Sequence, residues 1–223
     1  MGLTLLALDS AGAACSAALW RDGRVVAARR LATERGHAQH LAPLVAAVLD
    51  APGGRVPLDG VVATTGPGSF TGLRVGLALA QGVALAAGVP AWGVSSFRVH
   101  AEAAGAAPGR PLLVALDSRR AELFLQWFPP GGAEAPFMAT PAAAAERLRR
   151  TLRGPVALAG DAAGLLAAAL AAVGVQFEVL RADPADAADV AATAAAMLAA
   201  GEAMPPARPS YLRPPDVTVA APA

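Results

Sequence analysis

Two groups of residues in this 223-residue chain have the types and spacing to do chemistry. The first is the turn Gly66-Pro67-Gly68-Ser69-Phe70-Thr71-Gly72-Leu73-Arg74. Gly66 and Gly68 tolerate positive φ or close backbone approach, Pro67 presets its own φ, and Ser69 and Thr71 are both competent helix N-caps. A turn of this kind directs unpaired N–H groups outward at a helix N-terminus, where an anion or a partner's carboxylate can dock. The second group is the tetrapeptide Ala-Leu-Asp-Ser, which occurs at 7–10 and again at 115–118. Asp9 and Asp117 each close an apolar run, a position where paired carboxylates can hold magnesium and nucleotide phosphates between two domains. The candidate nucleotide or anion contacts are therefore Asp9, Ser10 and Asp117 from the repeat, and Gly66, Gly68, Ser69 and Thr71 from the turn.

Other features weigh against a self-sufficient catalytic centre. All eighteen basic residues are arginines, so the lysine of a P-loop is missing. Neither repeat has glycine directly after its aspartate: Asp9 precedes Ser-Ala-Gly and Asp117 precedes Ser-Arg-Arg, so a lost phosphate site stands beside a working one. His37 and His40 lie three apart at a helix start, but with no third ligand near they read as surface or interface histidines, and no metal site is expected. Arg147, Arg149, Arg150 and Arg153 share one helix with Glu146 and read as a solvated face rather than an RNA contact. No Gly-x-Ser-x-Gly elbow is present. The single cysteine, Cys15, lies in an apolar run and reads as a buried thiol.

These residues must be positioned by alternating strands and helices. Strands are expected near 3–9, 14–20, 23–32, 58–65 and 90–94, with helices near 36–50, 70–88 and 95–106. The same order recurs with strands near 111–117, 120–128, 135–139, 156–160 and 175–180, and helices near 141–153, 161–173 and 186–200. Two halves of three strands, helix, strand, helix, strand, helix make a duplicated α/β protein with mixed sheets. The joint falls at the Gly/Pro-punctuated stretch 103–110, which divides the chain into lobes 1–105 and 106–223, the latter with a Pro-rich tail. Within 70–88, Gly72, Gly76, Ala80, Ala84 and Gly88 recur every fourth residue, a row that lets a backbone approach closely, either the protein's own sheet or a second chain. A net charge of +1 supplies no global field toward nucleic acid or membrane. The apolar stretch 75–92 falls short of the ~20 residues that span a bilayer, and a cytoplasmic, membrane-free protein is expected.

Taken in order, L-L-A-L-D-S-A-G-A-A-C-S-A-A-L-W, R-G-H-A-Q-H-L-A-P-L-V, G-P-G-S-F-T-G-L-R-V-G-L-A-L-A-Q-G-V-A-L-A, G-V-S-S-F, A-L-D-S-R-R-A-E-L-F and P-S-Y-L-R make the chain similar to the TsaB (YeaZ-like) family of bacterial tRNA threonylcarbamoyladenosine biosynthesis proteins. The resemblance implies an actin-like, sugar-kinase and Hsp70-type (ribonuclease H-like) fold of two related lobes. It implies a non-catalytic subunit that binds and activates a larger paralogue, TsaD, which transfers threonylcarbamoyl to the adenosine beside the tRNA anticodon. It further implies a TsaE-type ATPase partner, a homodimer when the paralogue is absent, only indirect contact with tRNA, and no tightly held cofactor, with ATP and magnesium entering only within the complex. The histidine-x-x-x-histidine metal motif of TsaD is absent from this sequence. In the family, helices of the first lobe form the heterodimer, which carries the partner interface onto His37, His40 and Leu44 of the 36–50 helix and onto Gly72, Arg74, Gly76 and Ala80 of the 70–88 helix. The alternative is an ATP-dependent small-molecule kinase or acyltransferase of the same fold working through Asp9 and Asp117.

Overall fold

The computed structural model describes residues 2–33, 36–54, 56–107, 109–152 and 154–213. Its first sheet is built from β1 (Thr4–Asp9), β2 (Ala14–Arg21), β3 (Arg24–Ala32), β4 (Gly60–Gly66) and β5 (Ala91–Ser95), in the order β3-β2-β1-β4-β5. The second uses β6 (Leu112–Asp117), β7 (Leu123–Phe128), β8 (Phe137–Ala139), β9 (Val156–Ala159) and β10 (Phe177–Arg181), in the order β10-β9-β6-β7-β8. Renumbered from each start, the two orders are identical. In both, the first strand pairs antiparallel with the second and parallel with the fourth. The repeated Ala-Leu-Asp-Ser thus ends the central strand of each sheet, and the expected duplication is present.

Central strands read as unbroken apolar runs because both of their faces are covered. Every residue of β1, Thr4-Leu-Leu-Ala-Leu-Asp9, is buried. One face carries α1 (His37–Leu49) and α2 (Phe70–Ala87), with Leu6, Leu8 and Val61 meeting Leu41, Leu73 and Leu77 in one cluster. The other face carries α6 (Ala187–Ala199), through Val190, Ala191 and Ala194 on Leu5, Ala7 and Val62. The second sheet is covered on one side by α4 (Pro141–Thr151) and α5 (Ala163–Ala172). Its other side receives Phe97 of α3 (Ser96–Ala103), packed on Leu112, Val114 and Leu116.

The helices therefore cross between the halves. A cut at 105/106 separates the two sheets, but it assigns α6 to the second lobe although that helix covers the first sheet, and α3 to the first although Phe97 is core of the second. Apolar burial outweighs chain order here: a sheet face must be covered by whichever helix reaches it. The Pro-rich tail departs from the 106–223 assignment in the same way. Residues 204–213 run back along the first lobe, where Pro205 accepts from the Gly93 N–H (2.8 Å), Ala207 donates to Ala91 (3.2 Å) and Ser210 donates to Thr65 (2.8 Å). Tail residues beyond Arg213, and Arg153, lie outside the described residues.

Helix ends follow their sequence signals. Ser69 Oγ caps α2 by accepting from the Gly72 N–H at 3.2 Å. Asp186 and Asp189 form a reciprocal capping box on α6. By length and composition α2 is the one helix among the described residues that could cross a membrane, yet Gly72, Leu73, Gly76, Leu77, Ala80 and Ala84 bury its inward face in this protein's own core.

Candidate functional site: the cleft between the lobes

The G-P-G turn connects β4 to α2 and presses on the turn that follows β1. A side chain on Gly68 would lie 2.5 Å from the Ala11 carbonyl, so only glycine permits that approach. The Ser69 N–H donates to Ala11 O at 2.7 Å, and Ser10 Oγ donates to Gly72 O at 2.8 Å. A Cβ on Gly72 would stand 2.0 Å from Ser10 O, and one on Gly76 2.4 Å from Ser10 Oγ. The small-residue row is thus the seam where α2 meets the end of β1.

This seam corrects the partner-interface assignment. Gly72, Gly76 and Ala80 face the protein's own sheet and are buried. His37 is buried as well, with Nε2 3.3 Å from the Gly12 carbonyl. Of the three contacts expected on α1, Leu44 and His40 retain partial exposure. The outward side of these helices presents Ala42, Ala46, Ala78, Gly82 and Leu85, and Leu85 is 85% exposed. Periodicity located the row correctly but could not say which neighbour the row meets.

Between the lobes lies a cleft of about 810 Å³. Asp9, Thr64 and Ser96 line it from the first half, and Asp117 and Asp161 from the second. Asp9 Oδ1 accepts from Thr64 Oγ1 at 2.5 Å and from the Ala11 N–H at 3.2 Å. Burial nevertheless raises the Asp9 pKa above its ordinary value, because desolvation outweighs both hydrogen bonds. Asp161 is raised by the same cause and accepts from the Asp117 N–H at 2.9 Å. Asp117 Oδ1 in turn accepts from the Arg119 N–H at 2.7 Å. His100, also buried, receives the Ala185 N–H at Nε2 (3.2 Å), which leaves Nδ1 to donate to Ser96 O at 2.9 Å.

The fold class implies a magnesium-bound nucleotide here, and the residues present do not fit its phosphates. The amides of Ala11, Ser69, Asp117 and Arg119, which flank the two turns, are all bonded within the chain. Ser10 Oγ is likewise taken, Thr71 is exposed on the outer side of α2, and Gly66 at φ 111° packs against Ser210. Among the described residues no cluster of three metal-ligating side chains occurs. Both buried histidines bond to backbone, His37 through Nε2 to the Gly12 carbonyl and His100 through both ring nitrogens.

At the cleft mouth two motifs far apart in sequence meet. The Arg74 guanidinium lies 3.7 Å over the Phe70 ring, and its Nε donates to the Tyr211 hydroxyl at 3.0 Å. The Phe70 and Tyr211 rings are 5.0 Å apart. Arg74 thus bonds within the chain while remaining exposed at the surface. Arg213 continues across to the second lobe and pairs with Glu122 at 3.0 Å. The sequence singled out P-S-Y-L-R without a role, and a coil with no periodicity carries no signal for its path. Asp161, Ser96 and His100 were missed; the Gly160-Asp161 pair ending an apolar run was the available cue.

Two duplicated mixed sheets closing on one cleft define an actin-like, two-lobed protein. A family model described as TsaD: tRNA N6-adenosine threonylcarbamoyltransferase matches residues 30–199. The chain belongs to that family, and within it is TsaB/YeaZ-like. It is 40% identical over 124 residues to the tRNA threonylcarbamoyladenosine biosynthesis protein TsaB of Escherichia coli K12, covering 55% of this chain and 53% of that protein. The protein of the same description from Haemophilus influenzae is 37% identical over 124 residues, covering 55% and 52%. The chain thus matches about half the length of these curated relatives. A Pseudomonas aeruginosa crystal structure, described as an uncharacterized protein with similarity to peptidase YEAZ, superposes with a TM-score of 0.72 at 27% identity, covering 95% of this chain and 100% of that one.

Proposed function

We propose that this chain is a non-catalytic subunit in tRNA threonylcarbamoyladenosine formation, which binds and activates a TsaD-type threonylcarbamoyltransferase. The observation that carries this reading is the outward face of α1 and α2. Ala42 and Ala46 of α1 and Ala78, Gly82 and Leu85 of α2 are exposed, Leu85 to 85%, and a Cβ at Gly82 would meet nothing within 4 Å. An exposed patch of small apolar residues on two neighbouring helices suits close packing against helices of a partner. A TsaD-type paralogue is that partner, and a second copy of this chain takes the same face when the paralogue is absent.

In this reading a TsaE-type ATPase completes the assembly, and ATP with magnesium enters only there, which accords with the Ser10 hydroxyl and the Ser69 amide being bonded within the chain. The protein works in the cytoplasm. Coexpression with a TsaD-type protein tests the surface. Leu85→Glu should leave the isolated chain folded, since the side chain is outside the core, and should abolish copurification. A Leu85→Glu chain that copurifies at wild-type strength would place the interface elsewhere.

A further inference from the structure

We propose that residues 204–213 are a latch across the mouth of the interlobe cleft, rooted on the first lobe and released from the second at Leu212 and Arg213, so that the latch sets how far the lobes open. This device goes beyond the subunit reading and stands on the geometry of this chain alone.

The chain passes between the lobes after α3, again before α6, and again in the tail. The first two passages are tied to each other. The Ala185 N–H donates to His100 Nε2 at 3.2 Å, Arg181 Nη1 donates to Ala103 O at 3.5 Å, and Arg181 pairs with Asp189 at 2.8 Å. Helix α3 also belongs to both cores, with Val99 in the cluster on the first sheet and Phe97 in the cluster on the second. Ser96, His100 and Ala185 line the cleft from this side and are buried. The floor is therefore where the lobes are joined, and bending there opens the mouth. The tail passes at the mouth instead, where Tyr211, Leu212 and Arg213 line the cleft.

The two ends of this tail are held unequally. On the first lobe it follows the edge strand β5, through the Gly93, Ala207 and Ser210 amide bonds already described, and Gln81 Nε2 adds a bond to Ala207 O at 2.7 Å. A Cβ on Gly93 would stand 2.8 Å from Pro206 O, and Ala207 is buried in the first core. Tyr211 then leans on the Phe70 ring and accepts from Arg74 Nε. On the second lobe the tail is held by Leu212, partly buried against the cluster of Phe97, Leu112 and Phe124, and by the ion pair of Arg213 with Glu122 at 3.0 Å. Those two side chains are 27% and 46% exposed, so water and salt compete for both charges. A run of backbone bonds around a buried residue opens only as a unit, whereas a half-exposed ion pair opens by itself. Release therefore comes at the second lobe.

Pulsed dipolar EPR on the full chain tests the latch, with spin labels on Thr71→Cys and Ala121→Cys, two exposed sites on the two sides of the mouth. Cys15 is wholly buried and stays unlabelled. Arg213→Glu, which sets two like charges together, should raise the population at longer separation about two- to fivefold, and Leu212→Ala should shift it the same way. The exchange Arg213→Glu/Glu122→Arg should restore the wild-type distribution. At about 1 M salt the wild-type chain should open, and the Arg213→Glu chain should open no further. Arg149→Glu/Arg150→Glu, which breaks the ion pairs to Glu146 on α4, should leave the separation unchanged. Should charge reversal unfold the chain, Arg213→Gln carries the test, with a smaller shift in the same direction. Unchanged separations in folded Arg213 and Leu212 variants overturn the proposal, as do failure of the charge exchange to restore closure and an equal shift from the α4 variant.

Discussion

Asp9 is a carboxylate held away from water with only a hydroxyl and one amide for company. Desolvation raises its pKa, and Asp161 across the cleft is raised in the same direction. For an acid whose folded pKa lies above its unfolded value, the native state binds the proton more tightly. The associated stability is fully present below the ordinary aspartate pKa of 3.8 and is lost as pH rises through the folded value. Asp9→Asn keeps an oxygen that can accept from Thr64 and Ala11 while removing the charge. Thermal unfolding should therefore show a higher Tm for Asp9→Asn than for wild type at pH 7, with the gap closing as the pH approaches the ordinary aspartate range. A pH-independent difference, or a lower Tm at neutral pH, would contradict this account of the buried carboxyl. Asp9 itself was legible, because its tetrapeptide is repeated. Its burial was not, since no local pattern announces that Thr64 and the Ser10–Gly72 seam will cover it.

At the scale of elements, α2 shows how far periodicity reaches. The spacing of Gly72, Gly76, Ala80 and Ala84 identified a close crossing, and the crossing exists. Its partner is β1 of the same lobe, because Ser10 reaches over the helix at Gly72 and Gly76. Two glycines of this helix, one buried against Ser10 and one exposed, should consequently respond in opposite ways. Gly72→Ala must displace the Ser10 backbone and should destabilise the isolated chain by about 1–3 kcal/mol in denaturant unfolding. Gly82→Ala enters open space in a helix interior and should stabilise it by about 0.5–1 kcal/mol. Equal losses at both positions would mean that the outward face of α2 is packed in the monomer after all. The order of elements and their approximate limits could be taken from sequence throughout both halves, since strand and helix periods alternate cleanly and caps such as Ser69, Thr140 and Asp186 mark the helix starts.

At the scale of the molecule, duplication explains the sheets and burial explains the exchange of helices. The repeated tetrapeptide predicted two matching sheets, and the matching strand orders realise that expectation. It did not predict that α6 returns to cover the first sheet or that residues 204–213 run along β5 and across the cleft. Those are long-range choices, set by which apolar sheet face or strand edge each segment covers. The result is a body whose two lobes share cores and whose cleft keeps its buried carboxylates while the amides of Ala11, Ser69, Asp117 and Arg119 bond within the chain. We propose that such a molecule shapes and activates a partner rather than turning over substrate alone. Reconstitution tests this most directly: threonylcarbamoyl transfer to tRNA measured with a TsaD-type enzyme and a TsaE-type ATPase, in the presence and absence of this chain, and with this chain alone. The account predicts modification that depends on the chain and none from the chain by itself. Transfer by the isolated chain, or full activity of the enzyme without it, would contradict the account.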